Sequence, residues 1–180
     1  MKRLSRLTIM AFLILIPAIL NAGEYNRKDW PHWIDTDQDC QSTRTEVLIK
    51  DSRSEVIFKN INQCVVISGV WTCPYTGRTY YSPADIDIDH IVPLANAHRS
   101  GAENWTRSKK QAFANDLENL LSVEDNINQN KSDQGPEDWK PPLTSYWKNY
   151  AKHWIFIKEK YRLRYAPGEL EALGEMLKTD

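Results

Sequence analysis

Residues 85–94 read DIDIDHIVPL, and this stretch decides the expected fold. Acidic and β-branched residues alternate along it, which is the period-2 pattern of a β-strand. Because the side chains of a strand point alternately to its two faces, three carboxylates share one face, and the isoleucines share the other with the histidine. The carboxylates are those of Asp85, Asp87 and Asp89, and the histidine is His90.

Three like charges on one strand face have two explanations. The segment can be a solvated edge strand whose charges face water. Alternatively, the carboxylates hold a divalent cation, since hard cations prefer oxygen ligands. The histidine beside Asp89 is suited to general-base catalysis because its unperturbed pKa is about 6.5. In that case activity should fall below roughly pH 6.5, where the imidazole becomes protonated.

A second informative segment is residues 118–133, ENLLSVEDNINQNKSD. Its first part is typical of a short buried strand. A helix is expected to follow, with Ser122 as its N-cap and Asp125 at its third position. On that helix Asn128 and Lys131 are three positions apart and face the same way. An amide oxygen suits a metal and an ammonium suits a phosphate, although such residues are also common on helices that are merely soluble.

The remaining chain predicts short elements around these two segments. Turn residues, apolar periodicity and β-branched runs set their positions. They are a helix at 42–52, strands at 64–73 and 74–81 with a turn at 75–77, and helices at 94–102, 106–116, 143–161 and 167–178.

Together, the two segments resemble the core of HNH endonucleases, in which two strands and a helix surround one metal. The run DxDHIVP at 87–93, the EN pair at 118–119 and N-x-x-K-S-D at 128–133 parallel the HNH domain of RNA-guided CRISPR nucleases. Flanking stretches, among them HWIDTDQDCQSTRTEVLI and NKSDQGPEDWKPP, resemble exported bacterial HNH nucleases over nearly the whole mature chain. The resemblance implies an α+β fold, with a ββα-metal core of short antiparallel strands surrounded by several helices.

The resemblance also implies roles for individual residues. Asp89 and Asn128 would hold one divalent metal, with His90 as the general base and Asn119 orienting the site by hydrogen bonds. Mg²⁺ is the expected ion, with Mn²⁺ or Zn²⁺ as alternatives, and Asp87 would join it directly or through water. The last motif position, His or Asn in the family, is Asn128 here, which affects metal preference more than reaction type. The expected contacts to substrate phosphates are Lys131, Arg78 and Arg99.

The first 22 residues have the layout of a secretory signal peptide. A basic start precedes an apolar run of 14 residues, Leu7 to Leu20, which is shorter than the roughly 20 residues of a membrane-spanning helix. Cleavage after Ala22 would leave residues 23–180 as a single endonuclease domain, secreted or periplasmic, without stable membrane association; an uncleaved anchor is the alternative. Removing three basic residues changes the net charge from −1 to −4, so nucleic-acid binding needs local basic residues or a bound cation.

Three cysteines, Cys40, Cys64 and Cys73, allow one disulfide in an exported protein and leave one thiol over. We predict the pair Cys40–Cys64, although the sequence does not exclude the other pairings. This disulfide would close a loop of about 25 residues and add roughly 3 kcal/mol to the free energy of unfolding. The cysteine spacings do not match a structural zinc site.

These features predict an exported, metal-dependent endonuclease that hydrolyses phosphodiester bonds in DNA, with RNA as a further candidate substrate. We expect low sequence specificity, because so short a chain has no room for a separate DNA-reading module, and a monomeric protein. The alternative is a non-catalytic exported module whose acidic strand binds Ca²⁺. His90 beside Asp89 favours the enzyme, because a calcium site has no need of an imidazole.

Overall fold

The computed structural model describes residues 23–179, which form six α-helices and six short β-strands. In chain order they are α1 (Thr43–Asp51), β1 (Ile57–Phe58), β2 (Val66–Ser68), β3 (Trp71–Thr72), β4 (Thr79–Tyr80), β5 (Ile86–His90), α2 (Leu94–Ala97), α3 (Arg107–Ala114), β6 (Leu120–Glu124), α4 (Asp125–Lys131), α5 (Trp147–Tyr161) and α6 (Glu169–Leu177). The strands form three two-stranded antiparallel sheets, β1–β2, β3–β4 and β5–β6. The predicted α+β fold, with short antiparallel strands among several helices, is confirmed. The expected signal peptide, residues 1–22, lies outside the described residues.

The β5–β6 pair is the longest sheet and positions the residues of interest. Its strands are antiparallel and pair over five residues, which places Asp89 and His90 at the end of β5. Asp85 does not belong to the strand, because it closes a 3-10 turn before β5 and is exposed. The expected face of three carboxylates is therefore reduced to Asp87 and Asp89.

Helix α4 begins directly after β6 and packs against both strands of this sheet. Its N-cap is Glu124, whose carboxylate accepts hydrogen bonds from the backbone N–H groups of Asn126 and Ile127 at 3.1 and 2.9 Å. The prediction that Ser122 caps this helix is wrong, because β6 continues to Glu124. Ser122 is instead a buried strand residue that pairs with Ile88.

Most of the other predicted elements are present with shifted ends. Ser42 is the N-cap residue of α1, although its side chain makes no capping hydrogen bond. The turn between β3 and β4 contains Gly77 at a φ of 74°, a left-handed conformation that glycine adopts without strain. The helix expected at 94–102 is the short α2, continued by a π-helical turn over His98–Ala102. Strand β1 lies where no element was predicted.

Two hydrophobic cores lie on opposite faces of the β5–β6 sheet. Leu120 and Val123 are three positions apart on β6 and therefore point to opposite faces. Leu120 belongs to a core with residues of α1 and the buried Trp71, whereas Val123 belongs to a core with residues of α5, α6 and the buried Trp154. Within residues 23–179, no helix has both the length and the apolar character needed to cross a membrane.

The N-terminal arm, residues 23–41, runs across the end of this sheet. The disulfide Cys40–Cys64 joins it to the connection between β1 and β2, which confirms the predicted pair. Asn115 also holds the arm, since its side chain both donates to and accepts from the arm's backbone. These restraints place Trp33 of the arm against the ring of His90, with ring centroids 5.8 Å apart and planes inclined by 26°.

Candidate active site

Asp89, His90 and Asn128 line one cleft with a volume of ≈ 420 Å³. The first two lie at the end of β5, and Asn128 lies on α4, which packs against that strand. Arg27 from the arm and Asp133, just after α4, add further polar groups to the lining. The fold thus brings the amide of Asn128 to the acid and the imidazole, from which it is distant in the sequence.

The tautomer of His90 is fixed by a backbone carbonyl. Its Nε2 lies 2.9 Å from the carbonyl oxygen of Ala114, and since a carbonyl can only accept, Nε2 carries the hydrogen and donates it. The lone pair of the neutral ring is therefore on Nδ1. Among the described residues Nδ1 has no hydrogen-bond partner, and His90 lines the cleft. This geometry leaves Nδ1 available to accept a proton.

Burial keeps His90 neutral over the physiological range. It lowers the pKa of His90 to about 3, and the opposing effect of the Ala114 carbonyl is smaller. The loss of activity expected below roughly pH 6.5 rested on the unperturbed histidine value. With the depressed pKa, protonation of His90 in the free protein no longer predicts that loss.

The carboxylate of Asp89 is held by two buried donors. The hydroxyl of Tyr75 donates to Oδ2 at 2.6 Å, and the ammonium of Lys131 donates to Oδ1 at 2.8 Å. Burial raises the pKa of Asp89, although Lys131 and the hydroxyl of Tyr75 act to lower it. Asp89 therefore depends on these donors to remain ionised.

Lys131 does not occupy the position expected of a phosphate contact. Its side chain is completely buried, and its ammonium donates to Asp89 and, at 2.9 Å, to the carbonyl oxygen of His90. Burial lowers its pKa more than Asp89 raises it. In this structure Lys131 is a buried counter-ion of Asp89, and its contact with a substrate phosphate stays a prediction.

Asp87 of β5 and Asn128 of α4 contact each other. The amide nitrogen of Asn128 donates to Oδ2 of Asp87 at 3.2 Å. Burial raises the pKa of Asp87, and the neighbouring Asp125 adds to this effect, against the hydrogen bond from Asn128. The amide oxygen of Asn128 has no hydrogen-bond partner within the described part of the chain, so it is available to a ligand.

The oxygen atoms available as metal ligands in the cleft fit a hard divalent cation such as Mg²⁺. Asp89 offers a carboxylate and Asn128 offers an amide oxygen, the ligands that such ions prefer. Each Asp89 oxygen uses one lone pair for the bond to Tyr75 or Lys131, and a second lone pair remains on each. Asp87 does not line the cleft and is linked to it through the hydrogen bond that it accepts from Asn128.

Asn119 fixes the backbone that follows β5. Its Oδ1 accepts from the Val92 N–H at 2.9 Å, its Nδ2 donates to the Val92 carbonyl at 3.1 Å, and its own carbonyl accepts from the Ile91 N–H at 2.8 Å. The side chain is completely buried. Asn119 thus contacts the loop beside the cleft but does not line the cleft.

The two arginines expected at the substrate lie in different places. Arg99 is at the rim, where it forms an exposed ion pair with Asp133 at 2.6 Å. Arg78 lies away from the cleft, beside a separate pocket that contains Glu124. Arg27 was not predicted, yet it lines the cleft, is exposed, and has no salt-bridge partner among residues 23–179.

Three residues near the site escaped the sequence-based reasoning, namely Arg27, Tyr75 and Trp33. Each reaches the site through tertiary contacts that no local pattern indicates. For Trp33 and Tyr75 the available signal was their place in stretches that resemble exported nucleases, and Arg27 lies outside those stretches. A further acidic group, formed by Asp35, Asp37 and Asp39 of the arm, has carboxylate oxygens within 4.8 Å of one another but is exposed and outside the cleft.

Comparison with known proteins identifies related sequences. A model of the family described as the C-terminal domain of GmrSD restriction endonucleases matches residues 42–174. An uncharacterized secreted protein of the fungus Arthroderma benhamiae is 48% identical over 157 residues, which span 86% of this chain and 75% of the relative. This relative is fungal, whereas the sequence motifs suggested bacterial nucleases. No solved structure matches the chain. The matched range contains β5, β6 and α4, and therefore the acid, imidazole and amide of the cleft.

Proposed function

Because the chain belongs to the family of GmrSD restriction endonuclease C-terminal domains, a nuclease family, we propose that it is an HNH-type, metal-dependent endonuclease. Its substrate would be DNA, with RNA as a second candidate, cleaved with low sequence specificity by a monomer. The relative's description as secreted supports export to the medium or the periplasm, in agreement with the signal-like residues 1–22.

One observation carries this proposal: His90, whose Nδ1 has no hydrogen-bond partner among the described residues, lines the same cleft as the oxygen ligands Asp89 and Asn128. The Ala114 carbonyl directs the Nε2 hydrogen away, and Nδ1 is left as the basic atom. Asp89 and Asn128 line the same cleft. Metal-assisted hydrolysis of a phosphodiester uses a general base next to oxygen ligands that bind a hard cation.

In the proposed reaction, His90 Nδ1 takes the proton of the attacking water. The Ala114 carbonyl keeps the ring oriented and stabilises the imidazolium that forms, while Trp33 supports one face of the ring. The negative charge of a bound phosphate would act to raise the pKa of His90 from its depressed value, whereas a bound divalent cation would act to lower it.

Asp89 and Asn128 would hold one divalent ion, with Mg²⁺ preferred and Mn²⁺ or Zn²⁺ as alternatives. When bound, the ion supplies charge stabilisation for the phosphate and for the leaving 3′ oxygen. Asp87 would orient Asn128 through their hydrogen bond. The expected products carry a 5′ phosphate and a 3′ hydroxyl.

Arg27 is the proposed phosphate contact at the cleft, because it is exposed and has no acidic partner among the described residues. Arg99 can assist only after leaving Asp133, since their ion pair occupies the guanidinium. Arg78 lies beside another pocket and has no part in the proposal.

The test is plasmid degradation by the exported protein, with EDTA and with add-back of Mg²⁺, Mn²⁺ and Zn²⁺. His90→Ala should lower the rate by about 100-fold or more, because general-base catalysis contributes roughly 10²–10⁴. His153→Ala is the matched control, since His153 is exposed on α5 beside a different groove. Wild-type rates in His90→Ala, or cleavage that EDTA does not affect, would contradict the proposal. The alternative, a calcium-binding module, predicts no cleavage with any ion.

A further inference from the structure

The hydroxyl of Tyr75 is aimed at the carboxylate of Asp89. It donates to Oδ2 at 2.6 Å, and both residues are buried, with exposed fractions of 0% and 4%. Tyr75 follows β3 at the start of the turn that contains Gly77, a different part of the chain from both β5 and α4. Because a carboxylate oxygen accepts, the hydroxyl of Tyr75 is the donor in this bond. Tyr75 therefore links the β3–β4 turn to the end of β5 through its hydroxyl.

Tyr75 and Lys131 hold the two oxygens of Asp89 from different elements. Lys131 of α4 donates to Oδ1 at 2.8 Å, while Tyr75 donates to Oδ2. Hydrogen bonds to an ionised acceptor are short and strong, and in a buried site they are not weakened by competing water. With both oxygens engaged, rotation of the carboxylate would break one bond or the other. The orientation of Asp89 is thus fixed before any ligand arrives.

A neighbouring tyrosine, Tyr150, allows the effect of the Tyr75 hydrogen bond to be distinguished from the effect of ring packing. Tyr150 is also completely buried, and its ring lies against that of Tyr75 with centroids 5.7 Å apart. Its hydroxyl has no hydrogen-bond partner within the described part of the chain. Both rings fill the same aromatic core, but only the hydroxyl of Tyr75 bonds to a residue of the cleft.

We propose that Tyr75 is a positioning residue, whose hydroxyl fixes the Asp89 carboxylate in the orientation that binds the divalent cation. This inference rests on the proposed function, because it assigns Asp89 to that cation. Groups that orient a metal ligand typically change metal affinity or activity by 10- to 100-fold when removed. Tyr75 does not contact the reacting atoms and acts only through Asp89.

Tyr75→Phe tests the inference, with Tyr150→Phe as the matched control. Each variant removes one oxygen atom from a buried ring in the same aromatic cluster. We expect Tyr75→Phe to weaken Mn²⁺ binding, measured by isothermal titration calorimetry on the exported protein, by about 10- to 100-fold. The Mg²⁺ concentration for half-maximal plasmid cleavage should rise by a similar factor. Tyr150→Phe should match the wild type in both measurements, and the far-UV spectra of both variants should match it too.

The outcomes separate this inference from the function on which it rests. If the wild type cleaves with metal and Tyr75→Phe binds Mn²⁺ as well as the wild type, or better, the positioning role is refuted while the nuclease remains. Equal losses in Tyr75→Phe and Tyr150→Phe would refute it as well, because a general packing defect would then be the cause. If the wild type neither binds metal nor cleaves, the proposed function fails and the inference fails with it.

Discussion

Lys131→Met is the most informative perturbation of the site. Methionine retains a long apolar side chain but removes the ammonium that bonds to Asp89 and to the His90 carbonyl. Both partners of this ion pair are almost completely buried, with side-chain exposures of 0% and 5%. Burial raises the pKa of Asp89 and lowers that of Lys131, so each charge depends on the other to remain in the interior.

The expected cost follows from what remains after the substitution. Asp89 would stay buried with Tyr75 as its main hydrogen-bond donor. Removing one partner of a buried ion pair typically costs about 3–5 kcal/mol. For a chain of this size each kcal/mol shifts Tm by about 2–4 °C, which gives a decrease of roughly 6–20 °C. By contrast, Arg99→Met breaks a pair whose side chains are 47% and 52% exposed, and such pairs contribute about 1 kcal/mol or less.

The assay is thermal and urea unfolding of the wild type, Lys131→Met, Asp89→Asn and the double variant, all in EDTA. The double variant removes both charges, so it should be more stable than the sum of the two single effects predicts. This double-mutant cycle measures the interaction energy between Lys131 and Asp89. Adding Mg²⁺ should recover part of the loss in Lys131→Met, since a cation at Asp89 replaces the missing charge and stabilises the folded state that binds it.

Lys158→Met provides the structural control. Lys158 forms another completely buried pair, with Glu169 at 3.2 Å, which joins α5 to α6 away from the cleft. Lys158→Met should lower the free energy of unfolding by about as much as Lys131→Met, but Mg²⁺ should not restore its stability. The reasoning would be refuted if Lys131→Met cost no more than Arg99→Met, or if Mg²⁺ rescued both lysine variants equally.

The Cys40–Cys64 disulfide, whose cysteines are 24 positions apart, limits the unfolded chain; replacing both by serine should lower the free energy of unfolding by about 3 kcal/mol in urea titrations. Glu124→Ala should cost about 1 kcal/mol at pH 7, because the N-cap of α4 is lost. Burial alone would raise the pKa of Glu124, but the hydrogen bonds it accepts from α4 outweigh this and lower it, so the difference from the wild type should shrink as pH falls below the ordinary value of 4.5; a constant difference from pH 7 to pH 3 would contradict this. Arg27→Ala should raise KM for DNA several-fold in steady-state assays with little change in kcat, since a phosphate contact acts on bound substrate and transition state alike.

Local patterns predicted the elements of the site well. Strands were predicted at 85–92 and 118–123, and β5 and β6 overlap these ranges, because strand patterns are visible over a few residues. That Asp89 and Asn128 line one cleft was expected from the resemblance to HNH nucleases, since no spacing rule predicts which strand a helix will pack against. The Cys40–Cys64 pair was accessible to sequence reasoning because few pairings were available.

Tertiary contacts account for what the sequence did not reveal. A lysine is almost never completely buried unless paired, and the partner of Lys131 is on another element, so a surface role was the natural prediction. Tyr75 reaches Asp89 only after the β3–β4 turn folds onto β5. The N-cap of α4 moved from Ser122 to Glu124 because cross-strand pairing extends β6 by two residues, which overrides the local capping preference.

The charges around the cleft predict that substrate binding depends on the proposed cation. Lys131 forms a salt bridge with Asp89, and Arg99 forms one with Asp133. Arg27 therefore remains as the basic residue of the cleft without a salt-bridge partner among residues 23–179. Residues 23–180 have a net charge of −4. The long-range electrostatic field of this part of the chain therefore repels a phosphate backbone. A divalent ion at Asp89 would add positive charge to the cleft, where the proposed function places the scissile phosphate. Metal and nucleic acid should therefore each strengthen the binding of the other, since coupling between two ligands is reciprocal.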